Sequence, residues 1–493
     1  MNLPHITATE AIRLFRTQRL SPVELLDAVV ARTRETEPLV NSVTEQMLEA
    51  AYRAARESEK RYQDKTPRPL DGVPLMLKEE QPITGYLSEE GSLLEKGNVA
   101  EVTHPIVDRI ITAGAVVHGR TTTPEFCCAP VTHTRLWGIT RNPHNPEMTP
   151  GGSSGGSGAA LASGSTVLAT GSDIGGSIRI PASYCGVVGF KPPFARVPGL
   201  APFNADTYCA DGPMGRSVAD VALLQNIIAG PWAGDPASLR PRVSVSGDVG
   251  TLNGVRIALS FDLGGYDPDP IVVTRTEQFA LALENAGASV EEVDLPWTPG
   301  RVLDIAWKHF GGIMGPFIES IGRDSSAESL MPYTRAFINA ASRAGSYAVG
   351  LVEESTFYRP LGNLFETFDA LVCPTVTNTG MAADATCTDS ADVFSQLMTL
   401  PFNIVGRVPV LAVPSGRAPN GVPTGVQIVG RTFDDPMVFR IGAAVEAELG
   451  LTTADDWWPD LSLSSTNTRN TPATEFRDDA QGSTATTSLA GRQ

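Results

Sequence analysis

Residues 151–192 read GGSSGGSGAALASGSTVLATGSDIGGSIRIPASYCGVVGFKP. Glycine and serine crowd the first part, yet the run passes without a break into apolar residues with a strand-like pattern, where Cys185 and Phe190 are expected to be buried. A flexible linker has no reason to do that, so the segment reads as a core element. Glycine in a packed region costs conformational entropy and marks a backbone that turns sharply or approaches something closely. Successive free N–H groups in such a turn make an anion-binding nest. The P-loop pattern GxxxxGKS/T is absent and no GxGxxG fits a strand-to-helix turn, so phosphate is a poor candidate. The oxyanion of acyl transfer fits better, and a serine beside the nest is then a nucleophile.

A serine hydroxyl reacts only once something takes its proton. Gly152, Ser154 and Gly156 match GxSxG, but that elbow needs a histidine downstream. Only His309 follows, inside WKHFGG, which reads as a buried helix. Lysine is the other candidate base, provided burial lowers its pKa toward neutrality. Lys78 ends the apolar strand GVPLMLK, whereas Lys60, Lys65 and Lys96 lie among polar residues. The competing reading is a structural Lys78, snorkelling or paired with Glu79 or Glu80.

Around this segment the chain alternates. Thr7 with Glu10, and Ser21 with Pro22 and Glu24, each spell a capping box, the second ahead of a helix with Val23, Leu26, Val29 and Val30 on one face. Strands are expected at 73–77 and 115–119, and a capped helix at 217–230. VRIALS, TRTEQFALALENAG and ASVEEVDL form a strand, helix and strand with parallel pairing. Short strands at 369–373, 409–414 and 425–430 precede a last helix around 437–449. The fold class is α/β, a single large domain over 1–462 with a central mixed, largely parallel sheet covered by helices. Residues 463–493 are rich in Ser, Thr, Asn and Asp, cannot bury enough surface to offset ordering entropy, and read as a flexible tail.

The 493 residues carry 38 basic and 55 acidic side chains, a formal charge of −17, which argues against a nucleic-acid or anionic-membrane surface. No apolar run approaches twenty residues and the N-terminus has no secretory signal pattern, so a cytoplasmic enzyme is expected. Six cysteines without a CxxC pair read as reduced thiols. Six scattered histidines give no metal-ligand spacing, and neither metal nor cofactor is expected.

The whole 151–192 segment resembles the long serine and glycine signature of the amidase signature hydrolases. LDGVPLMLKE at 70–79, RTTTPEF at 120–126, TRNPHNPEMTPGG at 140–152, DGPMGRSVADVALL at 211–224 and GVQIVGR at 425–431 resemble the same family. The resemblance spans about residues 5–450. It implies a triad in which Ser177 is the nucleophile, Ser153 the bridging serine of a cis peptide and Lys78 the base. It also implies an oxyanion hole from the N–H groups of Ile174, Gly175, Gly176 and Ser177. Asp173 and Arg179 are expected to hold the loop, Cys127 and Cys185 to be small buried hydrophobes, and Thr149 to line the pocket or to serve a turn. Three departures stand out: KEE after the base, where a carboxylate on the side of Lys78 would raise its pKa; GSD for GTD; and KPPFARV after the signature.

The expected activity is hydrolysis of a linear non-peptide amide to acid and amine or ammonia. A carbamate or ester hydrolase would use the same triad, a glutaminase subunit of a tRNA-dependent amidotransferase would look alike but need a partner, and a binding scaffold would carry the triad idle. Phe126, Trp137, Trp307, Phe310, Met314, Phe317, Phe394 and Phe402 fall in segments expected to choose the substrate, which suggests an aromatic or aliphatic acyl group. The expected partner is a small-molecule amide, with no nucleic acid and no membrane. The reading leaves room for a homodimer.

Overall fold

A computed structural model describes residues 2–322, 329–454 and 456–461. The tail expected over 463–493 lies outside the described residues. Among the described residues thirteen strands follow in chain order: β1 (Val43–Gln46), β2 (Pro74–Lys78), β3 (Val116–Thr121), β4 (His133–Thr134), β5 (Gly138–Ile139), β6 (Leu168–Asp173), β7 (Val188–Lys191), β8 (Ala210–Gly215), β9 (Arg256–Leu259), β10 (Ser289–Glu292), β11 (Ala370–Pro374), β12 (Val410–Arg417) and β13 (Pro423–Gly430). β4 and β5 form a small ribbon. The others make one eleven-stranded sheet in the order β1-β3-β2-β6-β8-β7-β12-β13-β11-β9-β10.

The sheet is mixed and helix-covered, as expected. Parallel pairs lie toward its two flanks, β3-β2-β6 and β11-β9-β10, and antiparallel ladders run through the middle. Antiparallel pairing takes a larger share than the sequence suggested, because β12 and β13 are joined by a short turn and pair as a hairpin. The strand, helix and strand of 256–292 do pair in parallel, Ser289 opposite Arg256.

Burial on both faces explains the apolar strands. Leu411 and Val413 of β12 pack with Phe279, Val438 and Phe439 from the helices Pro270–Asn285 and Asp435–Leu449. Ala412, between them, faces the opposite layer with Ile178, Ala182 and Cys185. The N-terminal helices Ala8–Arg16 and Pro22–Val40 cover the other end of the sheet. Ser21 and Glu24 form a reciprocal capping box there. At Thr7 only half the box forms, since Glu10 turns outward to Arg13 at 2.6 Å. Among the described residues no helix is long and apolar enough to cross a membrane.

Candidate active site

β2 and β6 are parallel neighbours, and their C-terminal ends reach one edge of the sheet, where α/β folds place ligands. Lys78 ends β2, and Ser172 and Asp173 end β6. The Lys78 N–H donates to Thr170 Oγ1 at 3.0 Å and fixes the alignment. The Lys78 side chain is fully buried, and Nζ lies 2.7 Å from Ser153 Oγ and 2.8 Å from Ser172 Oγ.

Ser153 follows a cis peptide bond from Gly152. Gly152 sits so close to the neighbouring chain that a Cβ there would come 2.5 Å from the Val131 carbonyl oxygen. The Ser154 N–H donates to the Ser177 carbonyl at 3.0 Å, which ties the two serine segments together before the buried helix Gly155–Ser163 departs. Ser177 lies on the bend between β6 and the buried helix Arg179–Cys185 and is 8% exposed. Among the described residues its hydroxyl has no hydrogen bond.

Asp173 shapes that bend. Its carboxylate accepts from the Gly176 N–H at 2.8 Å, the Ile178 N–H at 3.2 Å and Asn403 Nδ2 at 2.9 Å, and it pairs with Arg179. Burial works against its charge, but Arg179 outweighs burial and holds its pKa below the usual value. Of the four N–H groups that the resemblance assigns to an oxyanion, that of Gly176 is thus occupied. Those of Ile174, Gly175 and Ser177 have no acceptor among the described residues.

The two glutamates after Lys78 part ways. Glu79 turns away and accepts the N–H groups of Glu89 and Glu90 at 2.6 and 3.0 Å, and burial lifts its pKa to about 7. Glu80 turns toward Lys78, with Oε1 3.2 Å from Nζ, while its Oε2 accepts the Cys127 thiol at 2.6 Å. Cys127 is therefore a polar partner as well as a space-filling one. Burial disfavours the charge on Lys78, but Cys127 and Glu80 favour it more, and the net displacement is upward. This corrects the expectation that burial brings Lys78 toward neutrality, for the carboxylate at ion-pair distance works against desolvation.

Two cavities meet this edge. One, of about 280 Å³, is lined by Ser153, Ser172, Phe126 and Phe317 and by the 199–204 turn, with Glu80, Glu90 and Asp211 at its polar end. Burial and then Glu79 raise the Glu90 carboxyl to about 8. Asp211 bonds Gln81 at 2.7 Å and faces His104 at 3.4 Å. The other cavity is small and apolar, opening onto Ser177 between Ile174, Met314, Phe310, Phe337 and Phe394.

Five of the aromatic and methionine positions singled out in the sequence, 126, 310, 314, 317 and 394, line one cavity or the other. Phe402 instead packs in the core against Trp297, Trp307 backs Phe310 and Phe337, and Trp137 sits at the β4–β5 ribbon. Thr149 Oγ1 accepts the Gly151 N–H at 3.2 Å and serves the turn. Ser172, Glu90, Asp211 and the 199–204 turn escaped the sequence reading, because only strand register and long-range packing bring them to Lys78. Among the described residues no group of three or more His, Cys, Asp or Glu could hold a metal ion.

Residues 24–439 match the family model for amidases. A glutamyl-tRNA(Gln) amidotransferase subunit from Symbiobacterium thermophilum is 31% identical over 474 residues, 90% of this chain and 96% of the relative. Among solved structures, a bacterial aryl acylamidase of the amidase signature family superposes with a TM-score of 0.84 at 25% identity, covering 94% of this chain and 99% of that one. A 6-aminohexanoate cyclic dimer hydrolase with substrate bound gives 0.81 at 27% identity over 94% of this chain and all of its own.

Proposed function

This chain belongs to the amidase signature family, hydrolases of carbon–nitrogen bonds other than peptide bonds, and on that premise we propose that it cleaves a linear non-peptide amide through an acyl-enzyme on Ser177. Lys78, once neutral, accepts a proton from Ser153, which takes one from Ser177 as its oxygen attacks the amide carbon. The N–H groups of Ile174, Gly175 and Ser177 meet the tetrahedral oxyanion, each such donor being worth roughly 10² in rate or more. Gly176 belongs to the same hole as the residue that shapes it. The proton returns through Ser153 to the leaving amine, and water then hydrolyses the ester by the same relay. The observation that carries this reading is the 2.7 Å contact between Lys78 and Ser153, with Ser177 tied through its carbonyl to the adjacent Ser154 N–H and lining an apolar cavity.

The apolar walls around Ser177 favour an aromatic or aliphatic acyl group. Residues 1–462 act as one domain in this reading. Six unpaired cysteines fit a cytoplasmic setting.

A second reading, the glutaminase subunit of a tRNA-dependent amidotransferase, has the similarity to the amidotransferase relative in its favour. The larger cavity speaks for the first: carboxylates line it, and among the described residues that line it no arginine or lysine stands ready to meet the α-carboxylate of free glutamine. The test offers the purified chain anilides of graded acyl size, the matching esters and urethanes, and L-glutamine, and follows the product acid. Anilide turnover by the chain alone is expected, abolished in Lys78→Ala and Ser177→Ala and reduced to a small residue in Ser153→Ala. Turnover of glutamine only, and only with a partner protein, favours the second reading. Esters or urethanes turned over in place of anilides would reassign the bond. Undiminished rates in Lys78→Ala would overturn the assigned base.

A further inference from the structure

Lys78 faces more than its serines. Glu80 stands two residues further on at 3.2 Å, and the Cys127 thiol donates to the far oxygen of Glu80 at 2.6 Å. Cys127 reaches it because Phe126 and Cys127 both take left-handed backbone angles, φ 50° and 55°, which fold the 124–128 segment back over the end of β2. The other titratable groups facing this pair are Glu90 from the 89–91 turn, Cys209 just before β8 and Asp211 within it, with His104 behind Asp211. Ser153 and Ser172 supply the neutral contacts to Nζ. Glu80 is thus the carboxylate in direct ionic contact with the amine.

We propose that Glu80 is a positioning residue of the relay: anchored by Cys127, its carboxylate holds Lys78 Nζ against Ser153 and sets the pH below which Lys78 keeps its proton and the relay is shut. The inference rests on Lys78 being the base. An ammonium cannot accept the Ser153 proton, so the relay opens only as that ammonium loses a proton to solvent. A carboxylate at ion-pair distance in a buried site opposes that loss, because neutralising the amine leaves the carboxylate unpaired. The consequence is an enzyme whose Ser177 gains reactivity as pH rises into the alkaline range.

A fluorophosphonate reads the ionisation without knowledge of the substrate. The rate at which it labels Ser177 is measured from about pH 5 to about pH 10 in the wild type, Glu80→Gln, Glu80→Asp, Lys78→Ala and Ser177→Ala. Wild-type labelling is expected to climb with pH. In Glu80→Gln the rising limb is expected to move down by about one pH unit or more, so labelling at neutral pH and at each pH of that limb is about tenfold faster than in the wild type. Glu80→Asp, which restores the charge on a shorter arm, returns the limb toward the wild type. Glu80→Ala answers the same question should the glutamine variant not fold, and it must show the same downward displacement. A limb that stays put or moves up in either variant overturns the proposal. Absence of labelling in the wild type, or wild-type labelling in Lys78→Ala, would instead sink the reading of the triad itself.

Discussion

Arg179 grips Asp173 through two hydrogen bonds of 2.9 Å, with both side chains fully buried. The same carboxylate accepts the Gly176 and Ile178 N–H groups, so one ion pair fixes the bend that presents Ser177. Arg179→Ala strands a buried carboxylate and is expected to cost about 3 to 5 kcal/mol in urea unfolding. The double variant Asp173→Asn with Arg179→Met removes both charges and should recover part of that stability. Ser177 labelling should not return with it, because the bend has lost its charged acceptor. Equal stability losses in the single and double variants would contradict this account, and so would restored labelling.

That Asp173 and Arg179 hold the loop was legible in the sequence, and the forty-residue signature, which keeps its local spacing, singled out Lys78, Ser153 and Ser177, of which the structure brings Lys78 and Ser153 to 2.7 Å. The helix around His309 and the strand, helix and strand of 256–292 followed from periodicity alone. What stayed hidden depends on register. Ser172 reaches Lys78 only because β2 and β6 lie side by side, and Glu80 rather than Glu79 faces the amine because of how the chain turns after Lys78. The sign of the Lys78 displacement followed from that turn, which composition and spacing do not specify. The antiparallel middle of the sheet was equally opaque, since short apolar strands buried on both faces look alike whichever way they pair.

Gly176 offers a test of backbone shape separate from charge. Its φ is 127°, where side chains are strained, and an added Cβ would lie 2.1 Å from Thr399 Oγ1. Thr399 in turn donates to the Gly175 carbonyl at 2.7 Å, so it cannot move aside without disturbing the same bend. Gly176→Ala is expected to cost about 1 to 3 kcal/mol in stability and to lower Ser177 labelling by about 10². Adding Thr399→Ala clears the collision but leaves the φ constraint, so the rescue should be partial. Full recovery would show that crowding alone, and not the backbone angle, demands glycine here.

His309 supplies a pH-dependent brace behind the cavity wall. It stacks on Tyr208 at 3.5 Å between ring centroids, and its two nitrogens meet Asp206 Oδ1 at 2.8 Å and Glu354 Oε1 at 3.1 Å. Tyr208 also donates to Glu354 at 2.8 Å, and Tyr347 packs against the ring edge. Burial opposes a charge on His309, but the two carboxylates outweigh it and raise its pKa from 6.5 to about 9. A folded-state value above the unfolded one means a stabilising contribution that is whole below 6.5 and disappears as pH climbs to about 9. That shift corresponds to about 3 kcal/mol, gained by joining the helix Pro299–Gly312 to Asp206, just after the cavity-lining Phe203 and Asn204, and to Glu354 of the helix Tyr347–Phe357. Urea unfolding of the wild type and of His309→Gln, followed from about pH 6 to about pH 10, isolates the contribution from the other groups that titrate in this range. The difference between the two proteins should be largest at the acid end and shrink toward the alkaline end. A difference that does not change with pH would mean that His309 is neutral in the fold and that the carboxylates hold it only through hydrogen bonds.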